Sequence, residues 1–301
     1  MNSTLTKFLI YILILFGLLS NFSAYSLNQD ELYSKESISN YFSGLVSSNN
    51  NNNELALNYL NYLKYLKNNH GQFNYEFVFA LMQTQKIPEA ILYLKKVDKK
   101  NINFFEAHLL LGINYFLKKN HEKSAHYLYL VTQNNKFSNF EKLIARTLFD
   151  YIKVFENKSY DFETALNKVT NNYSNFGKIH KAFLNCYLDN ESTKVVFLEI
   201  TNPKKFNYAR YNFFYINFLL SKNRNKEALK VLERDVDITG RNLLLDQTRS
   251  WLQEGNINII KETFDCKNPK HLIAEFFYLI ANLYSAESDY KLSNFYLNLS
   301  I

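Results

Sequence analysis

The chain has 301 residues, 47% hydrophobic and 17% aromatic, with only 7 glycines and 3 prolines. A β-sandwich or an α/β fold spends more glycine and proline on its turns, so this composition points to helices joined by short polar turns. The formal net charge is +7, but its lysines and arginines recur along the chain, often near turns (Lys86, Lys118, Lys119, Lys222, Arg224). A nucleic-acid binder gathers such charge on one face, so no nucleic-acid partner is expected.

The N-terminus carries its own signal. Lys7 precedes "FLIYILILFGLL", Phe8 to Leu19, twelve apolar residues followed by the small and polar "SNFSAYS". A positive start, a short apolar middle and a small-residue site describe a cleaved export signal over residues 1–26. Ala24 and Ser26 stand at the −3 and −1 positions, with cleavage before Leu27. Twelve residues fall short of the roughly 20 that span a bilayer. An uncleaved N-terminal inner-membrane anchor is the alternative. With the signal removed, the chain is expected to be periplasmic and without stable membrane insertion. The cysteines are Cys186 and Cys266. An oxidising compartment permits a bridge, but two thiols eighty residues apart are more often buried as small apolar residues, and that is the expectation.

From residue 37 a repeat emerges. Gly44, Val78 and Gly112 fall 34 residues apart, as do Ala56, Ala90 and Ser124, then Leu60, Leu94 and Leu128, and finally Leu63, Val97 and Val131. In this register Asn50–Asn53 is the turn between two helices, matched by Thr84–Ile87 and Lys118–His121. Asparagine tolerates left-handed backbone angles, and Pro88 sits where a helix start needs no N–H.

This pattern resembles the tetratricopeptide repeat, a 34-residue pair of antiparallel helices. In the third copy His108, Leu111, Gly112, Tyr115, Ser124, Leu128 and Val131 stand at the family's spaced positions, with His108 in place of its usual Trp and Ser124 in place of Ala. The resemblance implies an all-α fold, a right-handed α-solenoid of about seven to eight antiparallel helix pairs over residues 27–301. The clearest repeats are 37–68, 71–101, 105–136, 208–236 and 272–301; 140–171, 178–200 and 241–265 read as irregular hairpins. The first helix of 140–171 is about one turn too long, and "TKVVFLEI" within 178–200 is rich in β-branched residues. The sequence stops at Ile301 inside the last predicted helix, without the polar cap that solenoids usually need. A continuing product is the favoured explanation, an end covered by something else the other.

Chemical motifs are sparse. His121 and His126 are five apart, about 140° around a helix, which is not metal-ligand spacing. There is no glycine-rich phosphate loop and no nucleophile elbow, and Asp235 and Asp237 read as a solvated pair. His70, His180 and His271 fall near predicted helix ends. No enzyme activity, cofactor or metal is expected.

The resemblance also implies a concave groove lined by the first helix of each pair. Carried over by position, its residues are Tyr41 and Leu45; Tyr75, Phe79 and Met82; Leu109, Ile113 and Phe116; then Phe213, Asn217, Leu220, Tyr278 and Asn282. Aromatic anchors in such a groove suit a peptide or helix of a protein partner, although a tightly wound array would bury them as core. The expectation is a non-enzymatic interaction scaffold of the bacterial cell envelope, with self-association open. The alternatives are the non-catalytic repeat portion of a larger envelope enzyme, or a membrane-tethered adaptor if the signal stays in place.

Overall fold

The structure is a computed structural model and describes residues 34–169, 174–202, 209–239 and 242–300; the expected signal and cleavage site lie outside them. Among the described residues it is all-helical, with sixteen α-helices and no strand. The described residues fall into two compact units, one up to Leu66 and one from Lys67 onward.

In the first unit, α1 (Lys35–Asn49) and α2 (Asn53–Asn61) form one hairpin. Gly44 explains their closeness: a Cβ built on it would lie 2.8 Å from Leu60 Cδ2. Ala56 is fully buried beside it. The outer face of α1 is apolar and open, with Ile38, Phe42 and Val46 exposed at helical spacing.

The second unit contains α3 (Gly71–Gln83), α4 (Ile87–Leu94), α5 (Phe105–Leu117), α6 (His121–Gln133), α7 (Asn139–Glu156), α8 (Phe162–Val169), α9 (Ser174–Leu188) and α10 (Thr193–Ile200). It continues with α11 (Ala209–Ser221), α12 (Asn225–Thr239), α13 (Leu243–Gln253), α14 (Ile257–Thr263), α15 (Pro269–Ala286) and α16 (Tyr290–Leu299). Sequential helices pack in adjacent pairs. "TKVVFLEI" is α10: Val196, Phe197 and Ile200 are buried, and that burial overrides the weak helix propensity of its β-branched residues.

Seven of the hairpin turns share one backbone device. Asn51, Gln85, Lys119, Asp189, Asn223, Gly255 and Ser288 have φ between 58° and 78°. The amide of each following residue donates to the carbonyl five positions back, as in Asn52 to Ser47 (2.9 Å), Lys86 to Leu81 (2.8 Å) and Asn120 to Tyr115 (2.9 Å). The left-handed residue thus ends one helix and satisfies its last carbonyls. The next residue begins another: Asn52, Asn120 and Asp289 each accept an amide of the following first turn. Two residues both close and open a helix, which is why the turns need so little glycine.

Long-range contacts hold the second unit together. Cys186 on α9 and Cys266, just before α15, form a disulfide with Cα atoms 5.9 Å apart. This corrects the expectation of two buried thiols: the chain around α15 packs back on α9, where the His180 and Phe276 rings lie 5.1 Å apart, and so brings together cysteines eighty residues apart in sequence. The bridge flanks an aromatic cluster in which Phe214 lies 4.3 Å from Phe264 and 5.2 Å from Phe183. A second cluster forms where α15 meets α7 and α9: Phe276 lies 6.1 Å from Tyr151 and 5.1 Å from His180.

The last hairpin is covered as well. α16 packs on α3, with Phe295 and Phe79 5.2 Å apart. Gln83 Nε2 donates to the Lys291 carbonyl at 2.8 Å, and Asn298 Nδ2 donates to the Met82 carbonyl at 2.8 Å.

Candidate functional site: an aromatic cleft on α15

The structure places the expected groove residues differently from one another. Tyr41 is half-buried in the first unit, edge-on to Phe42 at 5.9 Å. Phe79, Met82, Leu109, Ile113, Phe116, Phe213 and Asn217 are buried. These seven side chains pack against the protein's own helices, and Phe213 also borders the smaller recess described below. On α3 the reason is direct, because the face carrying Tyr75, Phe79 and Met82 is the one that α16 covers. Lys291 Nζ lies 4.9 Å from the Phe79 ring centroid and 5.6 Å from that of Tyr75, and it pairs with Glu76 at 3.2 Å. Asn217 is occupied differently: its Nδ2 donates to the carbonyls of Ile260 and Phe264 at 2.7 and 2.6 Å, capping the end of α14.

Leu220 is buried and Leu45 half-buried; Tyr278 and Asn282 remain. Both line a cleft of about 1080 Å³ whose walls come from α7, α9, α10, α11 and α15. That volume lies just above the usual range of about 300–1,000 Å³ for ligand sites. Phe140, Phe176, Ile179, Tyr211 and Leu283 give it an apolar, mostly aromatic lining. The surface is accessible along α15, where Asn282 and Leu283 are exposed. Helical spacing explains the arrangement, since Glu275, Tyr278, Leu279 and Asn282 recur every three or four residues along one stripe of α15.

One ion pair stands in this wall. Arg210 Nε donates to Glu275 Oε1 at 2.7 Å and Nη2 donates to Oε2 at 2.5 Å, a two-point fork that fixes the guanidinium plane. The Arg210 Cζ lies 3.9 Å from the Tyr278 ring centroid, so the cation also stacks on an aromatic face. Glu275 is 6% exposed, and burial pushes its carboxyl above the usual range while Arg210 draws it part of the way back. The pair also borders a second, smaller recess of about 220 Å³ lined by Phe213, Phe264 and His271.

Behind the cleft, the Phe176 and His180 rings are 4.2 Å apart, and Tyr151 Oη hydrogen-bonds to His180 Nδ1 at 2.8 Å. Burial holds the His180 pKa down at about 3, so the ring is neutral. At the other end, Phe140 stands edge-on to Tyr284 at 5.7 Å, and Tyr284 stacks on Tyr296 at 5.4 Å. His70 and His271 serve the backbone, accepting the amides of Phe73 and Asp265.

Sequence reasoning missed Arg210, Glu275, Phe140 and Phe176. A signal existed for one of them: Glu275 is the lone acid inside the apolar run "LIAEFFYLIANL". A charge on the apolar face of a helix needs a partner, and the sequence does not say that the partner lies 65 residues upstream.

Among the described residues, no group of His, Cys, Asp or Glu is arranged to hold a metal ion, and no helix is long and apolar enough to cross a membrane. Fold and site together describe an all-helical protein of paired helices with an aromatic cleft braced by a buried ion pair. Compared with known proteins, the chain matches no family model and no curated protein.

Proposed function

We propose that this chain is an exported, tetratricopeptide-like interaction module whose cleft along α15 holds a segment of a partner polypeptide. The observation that carries the reading is the cleft itself: about 1080 Å³ of aromatic-walled space beside the Arg210–Glu275 fork. Such a site offers desolvated aromatic anchors and a rigid polar reference point, which is what binding a chain segment requires. An apolar, mostly aromatic lining suits a binder.

The repeat reading draws support from the seven left-handed turns and from the small residues at Gly44, Ala56, Gly112 and Ser124, where paired helices approach closely. Export draws support from the Cys186–Cys266 bridge, because disulfides persist in oxidising compartments.

A photo-crosslinking side chain tests the site. Placed at Leu283 in the cleft, it is expected to capture a polypeptide whose synthetic copy then binds the purified protein. Placed at Leu229, a comparably exposed position on α12, it is expected to capture nothing specific. Equal capture at both positions, or an adduct whose synthetic copy fails to bind, contradicts the proposal.

A further inference from the structure

The cleft lining has a charge imbalance. Among the described residues its charged side chains are Arg210, Glu275, Glu287 and Asp289. Arg210 and Glu275 neutralise each other in the fork, leaving the carboxylates Glu287 and Asp289 at the end of α15 and the turn beyond it. The described lining is therefore net negative on a chain whose formal charge is +7. Glu287 is exposed; Asp289 is half-buried and accepts the Leu292 amide at 3.0 Å.

We infer that the segment taken by the cleft carries an apolar anchor residue flanked by lysine or arginine. This rests on the reading of the cleft as a polypeptide site and names the chemistry of its occupant. The anchor fills the space among Phe140, Phe176, Tyr211 and Leu283. A basic flank reaches Glu287 and Asp289, where opposite charge at a solvated rim steers association and sets orientation. The same carboxylates repel an acidic flank. Within the fork, Glu275 engages Nε and Nη2 of Arg210, which leaves Nη1 as a donor suited to a neutral acceptor such as a main-chain carbonyl. A ligand carboxylate would meet a guanidinium that Glu275 has already neutralised.

The test uses short fluorescent peptides that share one apolar centre and differ only in flanks, lysine in one and glutamate in the other, with anisotropy measured on the oxidised protein. The lysine-flanked peptide is expected to bind about tenfold tighter at low salt, with the difference shrinking as the Debye length falls toward ~3 Å near 1 M salt. The double variant Glu287→Gln/Asp289→Asn, in which asparagine keeps the capping acceptor, is expected to remove the preference while leaving helical circular dichroism unchanged. Equal affinities, tighter binding of the glutamate-flanked peptide, or a preference that survives the double variant overturns the inference alone. If neither peptide binds and Leu283 crosslinks no polypeptide, the reading of the cleft falls with it.

Discussion

The Phe79 and Phe295 rings meet at 5.2 Å, although one belongs to the first helix of the second unit and the other to its last. The backbone ties around them, Gln83 to Lys291 and Asn298 to Met82, span 208 and 216 residues. The face of α3 that a helical array would turn toward a partner is thereby filled by the protein's own α16.

This contact fixes the outcome of truncation. Phe79 is fully buried, so Phe79→Ala removes an aromatic ring from packed surroundings and is expected to cost about 3–5 kcal/mol. The double variant with Phe116→Ala should lose helical circular dichroism or shift its urea midpoint strongly. An unchanged midpoint would place those rings at a free surface.

The disulfide closes a loop of 80 residues that contains α10 to α14. Loop-closure entropy puts its contribution at about 4–5 kcal/mol. Reduction, or Cys186→Ala with Cys266→Ala, should lower the thermal midpoint markedly under otherwise equal conditions. A midpoint indifferent to dithiothreitol would count against the bridge.

Stability should also depend on pH through Glu106. Burial pushes its carboxyl up to about 7, Glu141 adds to the rise, and Lys291 opposes it. A carboxyl raised on folding contributes stability that is complete below its unfolded value near 4.5 and is lost as pH climbs through 7. Asp150, pushed up to about 6 mainly by burial, adds to the same limb. His180, held down at about 3, acts oppositely, and its contribution is lost as pH falls below about 6.5. Glu106→Gln should therefore raise stability relative to the parent at pH 8, on the order of 2–3 kcal/mol, with little gain at pH 5. Denaturant titrations at both values measure this, and equal gains at both would contradict the assignment.

The turns give a gentler test. Gln85 holds a left-handed conformation with φ 60°, which costs a side-chain-bearing residue roughly 1 kcal/mol. Gln85→Gly should raise the unfolding midpoint by a few degrees. Gly255→Ala, at φ 78°, should lower it.

The sequence made the local design legible. The spacing of Gly44, Val78 and Gly112 marked the helix faces that meet within a pair, and the asparagine run at Asn50–Asn53 marked the first left-handed turn. Each of these positions acts within its own helix pair, where neighbours in sequence are neighbours in space. Contacts between distant helices leave no such spacing. The α3–α16 contact, the Cys186–Cys266 bridge and the Arg210–Glu275 fork join positions 65 to 216 residues apart. Of the groove residues read by position, Tyr278 and Asn282 line the cleft, while Phe79, Met82 and Asn217 turn inward for reasons visible only once their long-range partners are in place.

Hydrogen–deuterium exchange on the oxidised protein, with and without a lysine-flanked peptide bound, tests the central claim most directly. The account predicts slowed exchange along α15, near residues 275–289, and on the facing part of α9 near Phe176 and Ile179, with α3 and α16 unchanged. Protection centred on α3 together with faster exchange in α16 would contradict it, because the partner would then be displacing the last helix and not filling the cleft.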